Sequence, residues 1–257
     1  MYRWILPLLL SAGLLLSGCA TTASDPTAGL SAAELYAKAR ERLDAGAYQK
    51  AIDYYETLES RYPFGDYATQ AQLDVAYAYY RYNEPESAIA AADRFIKLHP
   101  RHPAVDYAYY LKGLVNFGLK KSVMDKLYTR DLADYDKTIM QQSYDDFAIL
   151  VKRFPDSSYA PDAIKRMVYL RNQLARAEIK VAEFYLQRHA PVAAANRART
   201  VVESYQGSDS VKRALQIMIL AYRKLEMDDL ARDAERVLKL NYGDEALNEI
   251  ASASVSP

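Results

Sequence analysis

The chain has almost no means of cross-linking itself. Cys19 is the only cysteine, so no disulfide can form within it, and an oxidising compartment would add no staples. Excess charge is lacking too. The 33 Lys and Arg residues balance 33 Asp and Glu, which removes a general drive toward nucleic acid or an anionic surface. There is no HExxH, P-loop, GxSxG or GxGxxG pattern, so the common carriers of metal, nucleotide and acyl-transfer chemistry are missing. Of three histidines, His99 and His102 flank Pro100; without a cysteine or third histidine nearby they make a poor zinc site. Adjacent carboxylates such as Asp145-Asp146 and Asp228-Asp229 would point about 100° apart on a helix. They form no acid–base couple, and solvated helix faces account for them. The expectation is a non-enzymatic chain with no catalytic residue, no metal and no cofactor beyond a covalent lipid.

A long apolar run is also lacking. Ile5 to Leu16 is the main apolar stretch, shorter than the about 20 residues that span a bilayer, and with Arg3 before it the pattern is that of a secretory signal. It ends in Leu16-Ser17-Gly18-Cys19, which resembles the bacterial lipobox. Residues 1–18 are then a lipoprotein signal peptide, and Cys19 becomes the first residue and carries diacylglyceryl and N-acyl chains. One acyl chain binds a membrane marginally; three hold effectively permanently. Ala20 and Thr21 follow, and the absence of Asp at the second mature position favours the outer membrane by resemblance to lipoprotein sorting. Residues 19–30, rich in Thr, Ser, Asp, Pro and Gly, carry no apolar period and read as a flexible tether.

What the chain does have is tyrosine and an internal repeat. There are 23 tyrosines and one tryptophan, Trp4, which sits in the signal. "ESRYPFGDYATQA" from Glu59 is echoed by "VKRFPDSSYAPDA" from Val151. Gly46, Tyr48, Ala51, Tyr55, Leu58 and Pro63 have the spacing of the second half of a tetratricopeptide repeat. Matching positions follow at Ala88, Ala92, Phe95 and Pro100, at Ser143, Phe147, Leu150 and Pro155, at Ala194, Ala198 and Val201, and weakly at Ala231, Glu235 and Leu238. Residues three and four apart share a helix face, so Ala51, Tyr55 and Leu58 form one buried stripe. The small alanine admits a close partner helix, and the proline, where present, ends the second helix of the pair; Gln206 stands in its place in the fourth copy.

The whole reads as all-α, a tetratricopeptide-repeat solenoid of five helix pairs in a right-handed superhelix. Ser31 to Glu34 is a capping box. Helices are expected near 31–45, 48–61, 67–81, 85–99, 103–118, 136–153, 161–189, 191–204, 209–225 and 228–240, with Pro85, Pro103 and Pro161 in first turns. Residues 31–155 hold repeats 1–3 and residues 156–250 repeats 4–5; residues 251–257 read as a loose tail. Two departures stand out: a charged, aperiodic insertion within 118–138, and one unusually long helix after Pro161. Stacked repeats of this kind offer an extended concave groove. Its wall would take Tyr36, Tyr77, Tyr80, Tyr107 and Tyr110 from first helices, with Arg61, Tyr62 and Phe64 at a corner, and its occupant would be a peptide with aromatic anchors.

The lipobox, the repeats, "RYPFGDY" (Arg61–Tyr67), "LDVAYAYYRY" (Leu73–Tyr82), "DRFIKLHPRHP" (Asp93–Pro103) and "AEFYLQRHAPVAAANR" (Ala182–Arg197) together resemble the BamD (ComL) family of the outer-membrane β-barrel assembly machinery. That resemblance implies a lipid-anchored scaffold at the periplasmic face of the outer membrane. It implies that the C-terminal repeats bind a POTRA domain of BamA through Asn196 and Arg197. It also implies that the N-terminal repeats receive C-terminal segments of unfolded β-barrel substrates and that other lipoproteins of the complex bind. Nucleic acid is not expected as a partner, because the lipobox places the chain outside the cytoplasm. The insertion "YTRDLADYD" departs from the family pattern. The rival reading is a periplasmic tetratricopeptide scaffold for cell-wall or Tol-system proteins.

Overall fold

A computed structural model of the protein describes residues 25–118 and 137–253. The signal segment, Cys19 and most of the insertion lie outside the described residues. Within them the chain forms eleven helices and no strand: α1 (Ala32–Asp44), α2 (Tyr48–Arg61), α3 (Asp66–Tyr82), α4 (Pro85–Leu98), α5 (Val105–Gly118), α6 (Lys137–Arg153), α7 (Ala160–Gln187), α8 (Pro191–Ser204), α9 (Val211–Lys224), α10 (Asp228–Tyr242) and α11 (Glu245–Ala253).

The helix boundaries follow from local chemistry. Ser31 Oγ accepts from the Glu34 amide at 3.3 Å while a Glu34 carboxylate oxygen accepts from the Ser31 amide at 2.8 Å, the reciprocal capping box that starts α1. Pro85, Pro161 and Pro191 occupy first turns, where a missing amide costs nothing. Pro103 instead lies in the turn two residues ahead of α5, where the His102 ring accepts the Ala104 amide at 3.1 Å. The left-handed Asn83, at φ 66, closes α3 with its amide on the Tyr79 and Tyr80 carbonyls.

The helices pair as α1/α2, α3/α4, α5/α6, α7/α8 and α9/α10. Each also packs on the next in sequence, and first helices meet first helices, α1 on α3, α3 on α5 and α7 on α9. This nearest-neighbour pattern is that of a stacked solenoid. The repeat positions read from sequence are the packing contacts: Ala51, Ala88, Ser143 and Ala194 are fully buried, as are Leu58, Phe95, Leu150 and Val201 two turns further along. Each such large side chain contributes about 1.5–3 kcal/mol. Ser143 is satisfied by donating its hydroxyl to the Gly113 carbonyl at 3.0 Å.

Three expectations need correction. The C-terminal tail is not loose from residue 251: α11 continues to Ala253, and its Ala246 and Ile250 cover Leu215, Ile219 and Leu238 of the last pair. The tether 19–30 is not free at its end, because residues 25–30 form a turn bound to α2 (below). Asp146 is not on a solvated face. It is buried between α5 and α6, accepts from Asn116 at 2.9 Å, and lies 3.5 Å from the Lys112 ammonium, which also meets Asp93 of α4 at 2.8 Å. Burial raises the Asp146 carboxyl above its ordinary range despite that cation.

Candidate functional site

The tyrosines expected to wall a groove lie on consecutive first helices, and each is half-buried with its polar tip or ring engaged. On α1, Tyr36 donates to Asp74 of α3 at 2.8 Å. Asp74 also accepts from Gln70 at 3.0 Å and from Tyr55 at 3.4 Å, and Arg40 lies 3.7 Å away. On α3, Tyr77 faces Tyr80, ring centroids 6.3 Å apart, and its hydroxyl accepts from Arg81 at 2.7 Å. On α5, Tyr107 lies 5.3 Å from Tyr159, and Tyr110 stacks on Tyr159 at 4.8 Å while donating to Asp162 of α7 at 2.6 Å. A tyrosine–carboxylate band thus runs from repeat 1 to the start of repeat 4.

Burial raises the acidities' midpoints along this band. Tyr36 and Tyr107 are pushed well above the ordinary phenol range by burial, Tyr36 further by the Asp74 carboxylate. Tyr110 is pushed up to about 12 by burial and by its bond to Asp162. Burial raises Asp162 as well, but hydrogen bonds from Arg166 and Tyr110 outweigh it and hold the carboxyl below its ordinary value. Tyr36, Tyr107 and Tyr110 therefore keep their protons at neutral pH, and the rings of the band offer apolar faces suited to aromatic and backbone groups of a peptide.

At one end the band opens into a cleft of about 450 Å³ lined by Tyr36, Asp66, Tyr67, Thr69, Gln70, His99 and His102. The two histidines serve packing and hydrogen bonding: His99 pairs with Gln72 at 2.8 Å and its ring lies 5.2 Å from Phe95. Among the described residues no cluster of His, Cys, Asp and Glu could hold a metal. Asp74, Tyr159 and Asp162 escaped the sequence reading. Their signal was the stretch "SSYAPD" around Pro161 and the aspartate inside the apolar "LDVAYAYY".

The corner residues behave differently. Arg61 spends its guanidinium on Asp25 and on the carbonyl and hydroxyl of Thr27, and Tyr62 donates to the Leu30 carbonyl at 2.9 Å. Phe64, beside them, is 90% exposed. Gly65, at φ 100, sets the corner, a backbone angle that side chains resist.

In the C-terminal half, Arg197 and Lys137 share one buried carboxylate. Glu178 of α7 is 3% exposed; one oxygen meets Lys137 of α6 and the other meets Arg197 of α8 at 3.3 Å. Arg197 remains half-exposed beyond that contact. Asn196, on the outer face, accepts from Arg199 at 2.7 Å rather than from Arg197.

Comparison with known proteins decides the family. The family model described as "YfiO: Outer membrane lipoprotein" matches residues 29–237. The chain belongs to this family of outer-membrane lipoproteins. Its relatives include the outer membrane protein assembly factor BamD of Neisseria meningitidis serogroup B, 46% identical over 240 residues, covering 91% of this chain and 90% of that one. The BamD of Vibrio cholerae is 35% identical over 227 residues, covering 88% and 94%, and that of Haemophilus influenzae is 33% identical over 233 residues, covering 91% and 88%. Among solved structures, one of MamA protein matches with a TM-score of 0.35 and 17% identity over 88% of this chain and 97% of that one. No helix among the described residues of this family member is long and apolar enough to cross a membrane.

Proposed function

We propose that the chain is a BamD-type subunit of the outer-membrane β-barrel assembly complex: a scaffold, not an enzyme, held at the periplasmic face by lipid on Cys19. In this reading repeats 1–3 take up C-terminal segments of unfolded barrel proteins, and repeats 4–5 dock on a POTRA domain of BamA. The supporting observation for the first role is the half-buried tyrosine band and its cleft at Tyr36 and Tyr67. A barrel C-terminal segment is amphipathic and aromatic, and tyrosine faces with donor tips give it transient cover without a permanent bond. Arg197 supports the second role. It is half-exposed and already held by a carboxylate, so an acidic partner group meets a guanidinium in a fixed place, and charge-assisted bonds of this kind contribute about 1.5–3 kcal/mol. Other lipoproteins of the complex would bind the remaining surface.

The test is capture in solubilised outer membrane. Photocrosslinkers at Tyr36, Tyr80 or Tyr110 are expected to trap barrel C-terminal segments, and Arg197→Glu is expected to weaken co-purification of BamA. Capture of substrates only by residues 156–250, or undiminished co-purification, defeats the corresponding half of the reading.

A further inference from the structure

We propose that the corner Tyr62-Pro63-Phe64-Gly65 is a second membrane contact, an aromatic foot that rests on the lipid surface beside the anchored residue. The inference rests on Cys19 carrying lipid, as proposed above. Three observations lead to it. The first is position. Six peptide units separate Cys19 from Asp25, a reach of at most about 20 Å, and Asp25 is ion-paired to Arg61. Thr27 and Leu30 add bonds to Arg61 and Tyr62, so the chain leaving the anchor is hydrogen-bonded to this corner. Phe64 follows Arg61 by three residues.

The second is chemistry. Phe64 is 90% exposed, although water gains nothing from a bare phenyl ring and the repeats offer ample core. Tyr62 and Tyr67 on either side are also exposed. An exposed phenylalanine beside the partly exposed ring of Tyr62 matches the headgroup boundary, where aromatic rings gather. The third is geometry. The ring follows Pro63, whose ring fixes its own φ, and Tyr62, held by the Leu30 carbonyl, so the chain entering Phe64 has little backbone freedom to lose when it meets a surface. The polar groups of Arg61 and Tyr62 are committed to residues 25–30, which leaves this corner less suited to hold a peptide than the band around Tyr36.

Trp4 is the one tryptophan of the sequence and lies ahead of Cys19, so after processing Phe64→Trp would install a single fluorescent reporter. The full chain, processed and lipidated, is reconstituted with vesicles of phosphatidylethanolamine and phosphatidylglycerol, part of whose acyl chains are brominated. Leu240→Trp, 83% exposed on α10, serves as the distant control. The expected result is blue-shifted emission and loss of most fluorescence for Phe64→Trp, with Leu240→Trp unchanged, and weaker quenching when Arg61→Ala is added while flotation with vesicles persists. If both variants float but Phe64→Trp is not quenched, the foot is refuted and the anchor stands. Equal quenching of both variants refutes it too, since the whole solenoid would then lie on the bilayer. Emission that responds to a barrel C-terminal peptide and not to brominated lipid returns the corner to the substrate groove. A chain that does not float refutes the anchor and the foot together.

Discussion

Phe147 fills the space that a side chain on Gly113 would need. A Cβ built on Gly113 falls 2.5 Å from Cε1 of the Phe147 ring, in the α5–α6 contact where Ser143 also bonds the Gly113 carbonyl. Gly113→Ala should gain about 1 kcal/mol of helix propensity but force Phe147 off its rotamer in a packed core, costing about 1–3 kcal/mol. The expected net outcome is a lower melting temperature by circular dichroism, partly restored by Phe147→Leu. An unchanged or raised midpoint would contradict the contact.

The shared carboxylate of Glu178 makes a different prediction. Either cation alone can neutralise it, and both reach solvent. Arg197→Ala should therefore change unfolding free energy by no more than about 1 kcal/mol. Adding Lys137→Ala leaves a buried charge unpaired, and the double variant should lose more than the sum of the singles by about 1–2 kcal/mol. Urea titration of the four proteins measures that coupling. Additivity would mean that Lys137 and Arg197 do not stand in for one another. The same series separates folding from docking: a loss of partner binding in Arg197→Ala with normal stability belongs to the interface.

Alkaline pH should act through the tyrosine band. In the unfolded chain tyrosine ionises near pH 10, whereas folded Tyr110 is pushed up to about 12. The folded state therefore keeps protons that the unfolded state gives up. Stability from this group is full below about pH 10 and falls as pH rises toward 12; Tyr36 and Tyr107 act in the same direction. Tyrosinate absorbance should lag behind that of free tyrosine and rise together with the loss of helical signal. Ionisation of all tyrosines at the ordinary midpoint, with the helices intact, would contradict the burial of the band.

Truncation after Gly243 removes α11 and uncovers Leu215, Ile219 and Leu238. It also removes the Glu249 carboxylate from Lys212, 2.6 Å away, and from Gln216, 2.9 Å away. The expected cost is about 3 kcal/mol, seen as a lower urea midpoint and concentration-dependent aggregation. A truncated chain as stable as the full one would show that repeat 5 needs no cap.

The repeat was readable because its packing is local. A small residue and two large ones on one helix face fix a pair regardless of what lies beyond it, and Ala51, Tyr55 and Leu58 carried that information in eight residues. The capping box at Ser31 and the helix starts at Pro85 and Pro161 were equally local. α11 was hidden because a nine-residue helix has no independent stability; Ala246 and Ile250 make sense only against α9 and α10. Asp146 was misjudged for a related reason: its neighbours Asn116 and Lys112 are some thirty residues distant. In the candidate site, the tyrosines could be assigned to first helices by period. Their carboxylate partners, Asp74 and Asp162, could not, because nothing in a sequence says which two repeats bring them together. The binding of Arg61 to Asp25 was likewise invisible in a stretch whose composition reads as linker.

The 28 residues of α7 form a single shaft of about 42 Å, with Tyr159 and Asp162 meeting Tyr110 of α5 at its start and Glu178 holding Arg197 near its end. A helix of this kind cannot absorb a change of length quietly. Each residue added between Asp162 and Glu178 would swing one half about the shaft by about 100°, carrying Arg197 to a different compass bearing from the tyrosine band. Four added residues would pass a full turn by only about 40° and push the halves about 6 Å apart. The angular offset between the tyrosine band and Arg197 is therefore indexed by residue count, as teeth index a gear.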